Sequence, residues 1–131
     1  MDILLNKKIL KKIIMLYYAE MYDINISKVT FLKKICELPL LVSHNTKESY
    51  SVTVTALITG NVKLKNDLLP FHTEIPIRDA FPIVEWYYNN NYEKVKIKEI
   101  KEITSMLFST RPSFKGLNLS VDENIQFVKK R

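Results

Sequence analysis

The chain has 131 residues, 47% of them hydrophobic, and 20 Lys+Arg stand against 14 Asp+Glu for a formal charge of +6. That hydrophobic share excludes a disordered chain, and the length sets one domain of ordinary size. The only glycines are Gly60 and Gly116. A loop that cradles phosphate needs several, so a nucleotide-binding enzyme in its own right is argued against.

Most of the positive excess is lysine, spread along the chain. It permits a polyanionic partner, and a solvated lysine-rich surface accounts for it equally well. Cys36 is the single cysteine and lies in an apolar pattern, which reads as a buried thiol in a reducing compartment. As a nucleophile it would need a base, and the only histidines are His44 and His72. Met1-Asp2-Ile3-Leu4-Leu5 passes at once into Asn6-Lys7-Lys8, with no apolar core of a signal peptide. No apolar run approaches the ~18 residues of a membrane span. A cytoplasmic protein without a membrane partner is expected.

In chain order, residues 3–22 predict a helix. Ile9, Leu10, Ile13, Ile14, Leu16 and Tyr17 form its apolar face, and Lys7, Lys8, Lys11 and Lys12 a cationic patch. Asp23-Ile24-Asn25-Ile26 is a short connection, in which Asn25 or Ser27 can cap a second helix over 27–38. That helix would bury Val29, Phe31 or Leu32, Ile35 and Cys36 and stop before Pro39. The pair predicts an αα-hairpin. After a polar loop at 43–49, residues 50–58 alternate, with Tyr50, Val52, Val54, Ala56 and Ile58 on one face; this is the clearest strand.

Gly60-Asn61 predicts a turn and 63–71 a short helix limited by Pro70. Asp79 as cap, with Pro82 in the first turn, sets a helix over 80–89 that buries Phe81, Val84 and Tyr88. From Val95 onward Ile97, Ile100, Ile103 and Leu107 recur at helical spacing, which predicts an amphipathic helix. The expected domain is 1–117, with 118–131 a polar basic tail whose last residues, Val128-Lys129-Lys130-Arg131, are mobile. The predicted fold class is therefore α+β and mostly helical: an αα-hairpin, a short strand, then two or three amphipathic helices.

Chemistry-bearing patterns are sparse. Two histidines, one cysteine and scattered acids give no metal-ligand spacing, no paired carboxylates and no Ser-His-Asp signature.

The order of Asp23-Ile24-Asn25, Leu68-Leu69-Pro70-Phe71, Ile100-Lys101-Glu102 and Pro112-Ser113-Phe114-Lys115-Gly116 resembles the C-terminal segment of the largest (beta-prime) subunit of multisubunit RNA polymerases. As a free-standing chain it looks like the small RNA polymerase subunits of yeast linear cytoplasmic (killer) plasmids. The resemblance covers about residues 10–116. It implies a non-catalytic small subunit at the clamp base and switch region, in a DNA-directed RNA polymerase whose large subunit is the partner and holds the catalytic Mg²⁺. No cofactor would sit on this chain. By position, His44, Lys47, Arg111 and Lys115 become candidate contacts to template DNA. Phe81, Val84, Trp86, Tyr88, Ile97, Ile100, Ile103 and Leu107 become candidate interface residues that complete the fold against the large subunit. The turn at 109–115 departs from the family's glycine-rich pattern, so a different backbone path is expected there.

Two other readings stay open. One is a stand-alone basic DNA- or RNA-binding regulator of a plasmid or phage, resting on charge and the lysines of the first helix. The other is a small hydrolase or nuclease.

Overall fold

Asn6 splits the first apolar segment into a strand and a helix in the computed structural model, which describes residues 1–37, 50–93, 95–105, 113–122 and 128–129. Strand β1 is Asp2–Asn6 and helix α1 is Lys7–Tyr22. The Asn6 side chain accepts the Ile9 amide at 2.9 Å and so satisfies one free donor of the helix start. Asp23 ends α1 in the left-handed region (φ 55°), and its N–H donates to Ala19 O at 3.1 Å. Aspartate is one of the few non-glycine residues that tolerates this conformation.

The fold class is where the structure departs most from expectation. Among the described residues the protein is mostly β, with two antiparallel three-stranded sheets and two short helices. The described residues contain no αα-hairpin. The segment expected as the second helix is strand β2, Ile24–Glu37, which pairs antiparallel with β3, Tyr50–Leu64. The reason for the mismatch is a β-bulge at Ser27, between Ile26 and Lys28. One extra residue inverts the strand's parity, so Ile26 and Val29, three apart, both face the core. In sequence that spacing is indistinguishable from one face of a helix.

The strand expected at 50–58 is present and runs on to Leu64 as β3. Gly60-Asn61 lies inside it rather than in a turn. The chain turns instead at Lys65–Asn66, with Lys65 at φ 55°, into β4, Asp67–Pro76. The helix expected over 63–71 is therefore absent. The second sheet is a β2-β3-β4 meander. Its inner face carries Ile26, Val29, Val54, Ala56 and Ile58, all buried.

A 3₁₀ turn, Ile77–Ala80, leads into helix α2, Phe81–Asn91. Pro82 sits in the first turn as its chemistry requires. Asp79 does not cap the helix: Ala80 occupies the cap position and no side chain bonds there. At the other end the Asn90 and Asn91 side-chain amides donate to Trp86 O and Tyr87 O at 2.7 and 2.8 Å.

The amphipathic helix expected from Val95 is strand β6, Ile97–Ser105. It pairs with β7, Ser113–Val121, which pairs in turn with β1; the first sheet is ordered β1-β7-β6. A second bulge, between Ile97 and Glu99, explains this error in the same way. It places Ile97 opposite Val121 and Ile100 opposite Leu119, on one face, while Ile103 falls on the other face opposite Gly116. Isoleucine's branched Cβ favours such a pleated surface. The expected domain boundary after residue 117 falls within β7, whose Leu117, Leu119 and Val121 are buried. Two-residue strands β5, Tyr92–Glu93, and β8, Val128–Lys129, also pair, so part of the expected tail joins the fold.

Helix α1 packs against β2, β7 and α2. Its Leu10, Ile13 and Ile14 join Leu5, Ile77, Ile83, Val84 and the inner faces of both sheets in one core. Phe31 of β2 meets Phe114 of β7 at 5.2 Å between ring centroids, which ties the two sheets together.

Both glycines are spent on close strand contacts. A Cβ on Gly60 would collide with the Asn25 carbonyl opposite the Ser27 bulge, and one on Gly116, at φ 141°, with the Leu5 carbonyl.

Candidate binding cleft

Where α1 runs past β4 toward the 3₁₀ turn, the elements do not close on one another. They leave a surface cleft of about 360 Å³. Its lining comes from three sources. Helix α1 supplies Tyr17, Tyr18 and Tyr22; the inner face of the β2-β3-β4 sheet supplies Ile24, Phe71, Thr73 and Ile75; the 3₁₀ turn and α2 supply Asp79, Pro82 and Ile83. Strand alternation places Phe71, Thr73 and Ile75 on one face of β4. Helical spacing brings Tyr18 and Tyr22, four apart, into line.

The aromatic rings touch one another. Tyr18 lies 5.8 Å from both Tyr22 and Phe71, in tilted contacts. Tyr17 meets Trp86 edge to face at 5.3 Å and Tyr22 at 5.8 Å. Burial raises the Tyr18 phenol above its ordinary value, with the Tyr22 phenol and the Asp79 carboxylate adding to it. Tyr17 is also raised, first by its side-chain hydrogen bond to Tyr22 and then by burial. Asp79 carries the one carboxylate in the lining, and among the described residues no ion pair neutralises it. Tyr22 is 58% exposed, so the cleft opens to solvent on that side.

An apolar end of the molecule adjoins the cleft. In the β3-β4 hairpin Val62 pairs with Leu69, Lys63 with Leu68 and Leu64 with Asp67. Leu64, Leu68 and Leu69 are all exposed, as are Met21 and Tyr22. Ile24 pairs with Val62, which brings the end of α1 to the same end of the sheet. Lone exposed leucines are ordinary, whereas a group of them at one tip marks an interaction surface. Strand β4 is an edge strand with prolines at positions 70 and 76. Proline has no N–H to offer a pairing strand, so this edge is a poor template for adding another.

The residues expected at a site distribute differently. Val84 and Tyr88 are buried in the chain's own core; Phe81, Ile97 and Ile100 pack against it, and Trp86 packs on Tyr17. Ile103 is half-buried on the outer face of the first sheet. Lys115 is exposed on β7. His44, Lys47, Leu107 and Arg111 lie outside the described residues. Lys7, Lys8 and Lys12 are exposed on α1, while Lys11 is half-buried with its ammonium 5.9 Å from the Phe31 ring centroid. The cleft itself escaped sequence reading, although Tyr17, Tyr18 and Tyr22 on one helix were a usable signal. Among the described residues no group of His, Cys, Asp and Glu could hold a metal ion, and no helix is long and apolar enough to cross a membrane.

Fold and site together define a mostly-β protein with an aromatic surface cleft beside an apolar hairpin tip. No protein-family model, curated protein or solved structure matches the chain.

Proposed function

We propose that the chain is a non-catalytic binding protein that acts by docking on a larger partner. The observation that carries this reading is the group of exposed apolar side chains at one end of the second sheet, Leu64 and Leu69 on the cleft-side face of the β3-β4 hairpin and Met21 and Tyr22 at the end of α1, with Tyr22 itself lining the cleft. Such a rim of aromatic and aliphatic anchors is the pattern of an interface centre.

A large RNA polymerase subunit is the partner that the family resemblance implies. Asp23-Ile24-Asn25 leads into a strand, however, and Ile100-Lys101-Glu102 lies in one, where the resemblance expected helices. The likeness now rests on residue order alone. The test is native co-purification with a tagged chain, read by mass spectrometry. A polymerase-sized subunit should co-purify with the wild-type chain and be lost from the triple variant Leu64→Ser, Leu68→Ser, Leu69→Ser. A monodisperse monomer whose captured proteins are indifferent to that variant overturns the reading.

The exposed Lys7, Lys8 and Lys12 on α1 favour a second reading, sequence-independent contact with nucleic-acid phosphate. Binding of duplex DNA by the isolated chain would fall steeply with salt, and reversing these three charges would abolish it. Absence of binding at low salt removes this reading.

A further inference from the structure

We propose that the cleft holds an arginine side chain presented by a peptide segment of the docking partner; this deepens the docking reading and rests on it. Three features of the site select that chemistry. The aliphatic walls, Ile24, Ile75 and Ile83, suit the methylene stem of a long side chain. The rings of Tyr18, Tyr22 and Phe71 line the cleft in mutual tilted contact, and aromatic rings attract a cation and stack well with a planar one. Asp79 adds a carboxylate that no ion pair among the described residues neutralises, able to accept two parallel N–H bonds from a guanidinium. Arg78, its neighbour in sequence, is exposed and makes no ion pair with it among the described residues.

The same features discriminate against other ligands. A phosphate or carboxylate would meet Asp79 and the negative ring faces. A lysine ammonium is more strongly hydrated than a guanidinium and cannot stack. The site is open at Tyr22 rather than enclosed, whereas a pocket for a free small molecule covers most of its ligand. An open site of this size suits a side chain whose backbone stays outside, where the exposed leucines of the β3-β4 tip add neighbouring contacts.

The experiment titrates the whole chain with the capped pentapeptide Gly-Leu-Arg-Leu-Gly, followed by heteronuclear NMR. A matched peptide with citrulline, the neutral isostere of arginine, and a single-stranded DNA oligonucleotide form the other arms. The arginine peptide should give saturable shifts centred on Tyr18, Tyr22, Phe71 and Thr73. Citrulline, Asp79→Asn and Tyr22→Ala should each weaken binding roughly threefold to tenfold. Both substituted positions are exposed, so the variants keep the fold. Equal binding of the citrulline peptide, shifts centred elsewhere, no saturable shift, or the oligonucleotide in the cleft overturns the proposal. In those cases leucine-dependent co-purification of a partner leaves the docking reading standing. Loss of that co-purification result overturns the docking reading itself.

Discussion

The Tyr17 and Trp86 rings meet edge to face with centroids 5.3 Å apart, and this contact joins α1 to α2 behind the cleft. Aromatic pairs in this geometry contribute about 0.5–1.5 kcal/mol beyond the area they bury. Trp86 is half-buried, so Trp86→Ala should cost about 2–3 kcal/mol, less than a fully buried aromatic truncation. A double-mutant cycle with Tyr17→Phe and Tyr17→Ala, measured by urea unfolding, should place the coupling in the ring rather than in the hydroxyl. Trp86 is the only tryptophan, so its fluorescence reports the transition directly.

The two glycines should not tolerate a methyl group. Gly116→Ala adds a left-handed φ to a collision with the Leu5 carbonyl, and the obstacle is backbone, which cannot rotate away. It should destabilise by more than about 2 kcal/mol, and Gly60→Ala by at least about 1 kcal/mol. Lys115→Ala, beside Gly116 but exposed, should stay within about 0.5 kcal/mol of wild type. Denaturant midpoints at constant slope are the measurement.

The bulge at Ser27 sets which side chains of β2 face the core. Deleting Ser27 would remove the bulge and leave Ile24, Ile26, Val29 and Phe31 on one face in regular pairing with β3, whereas deleting Thr30 would set Val29 and Phe31 on opposite faces. The expected outcome is loss of cooperative unfolding for the Thr30 deletion, whereas the Ser27 deletion and Ser27→Ala should both keep the fold, the latter because only the side-chain bond to Thr59 O at 3.2 Å is removed. Circular dichroism and thermal melts separate the two.

Alkaline pH should weaken the fold through its tyrosines. Burial pushes the Tyr88 phenol up to about 12, with Tyr92 and Tyr87 adding to it, against an ordinary value of 10.0 in the unfolded chain. The folded state therefore holds this proton more tightly than the unfolded state. Its contribution is fully present below about pH 10 and is lost as pH rises toward about 12. Tyr17, Tyr18 and Tyr87 shift in the same direction. Unfolding free energy should fall between about pH 10 and 12, less steeply in Tyr88→Phe, with phenolate absorbance lagging behind that of free tyrosine.

The elements that could be read from sequence are those whose pattern is unbroken. Residues 50–58 alternate without a bulge and form the start of β3 as expected. Pro82 and the Asn89-Asn90-Asn91 break bound α2 to within about two residues, because proline and asparagine act locally. Residues 24–37 and 97–105 failed for one shared reason. A bulge in each strand makes an odd spacing face one side, and Ile26 to Val29 or Ile97 to Ile100 then mimics a helix turn. Nothing local separates the two cases.

The sequence alone determined that the chain buries a core, where its clearest strand begins, and where proline starts α2. Tertiary structure decided the rest. Ile3 and Leu5 are strand rather than helix because β7 offers Leu119 and Leu117 as partners more than 100 residues away. The cleft likewise exists only because Tyr18, Phe71 and Asp79, far apart in the chain, converge when α1 packs beside β4 and the turn before α2. Pair contacts between distant residues outweigh local preference, and those contacts are invisible until the strands find their register.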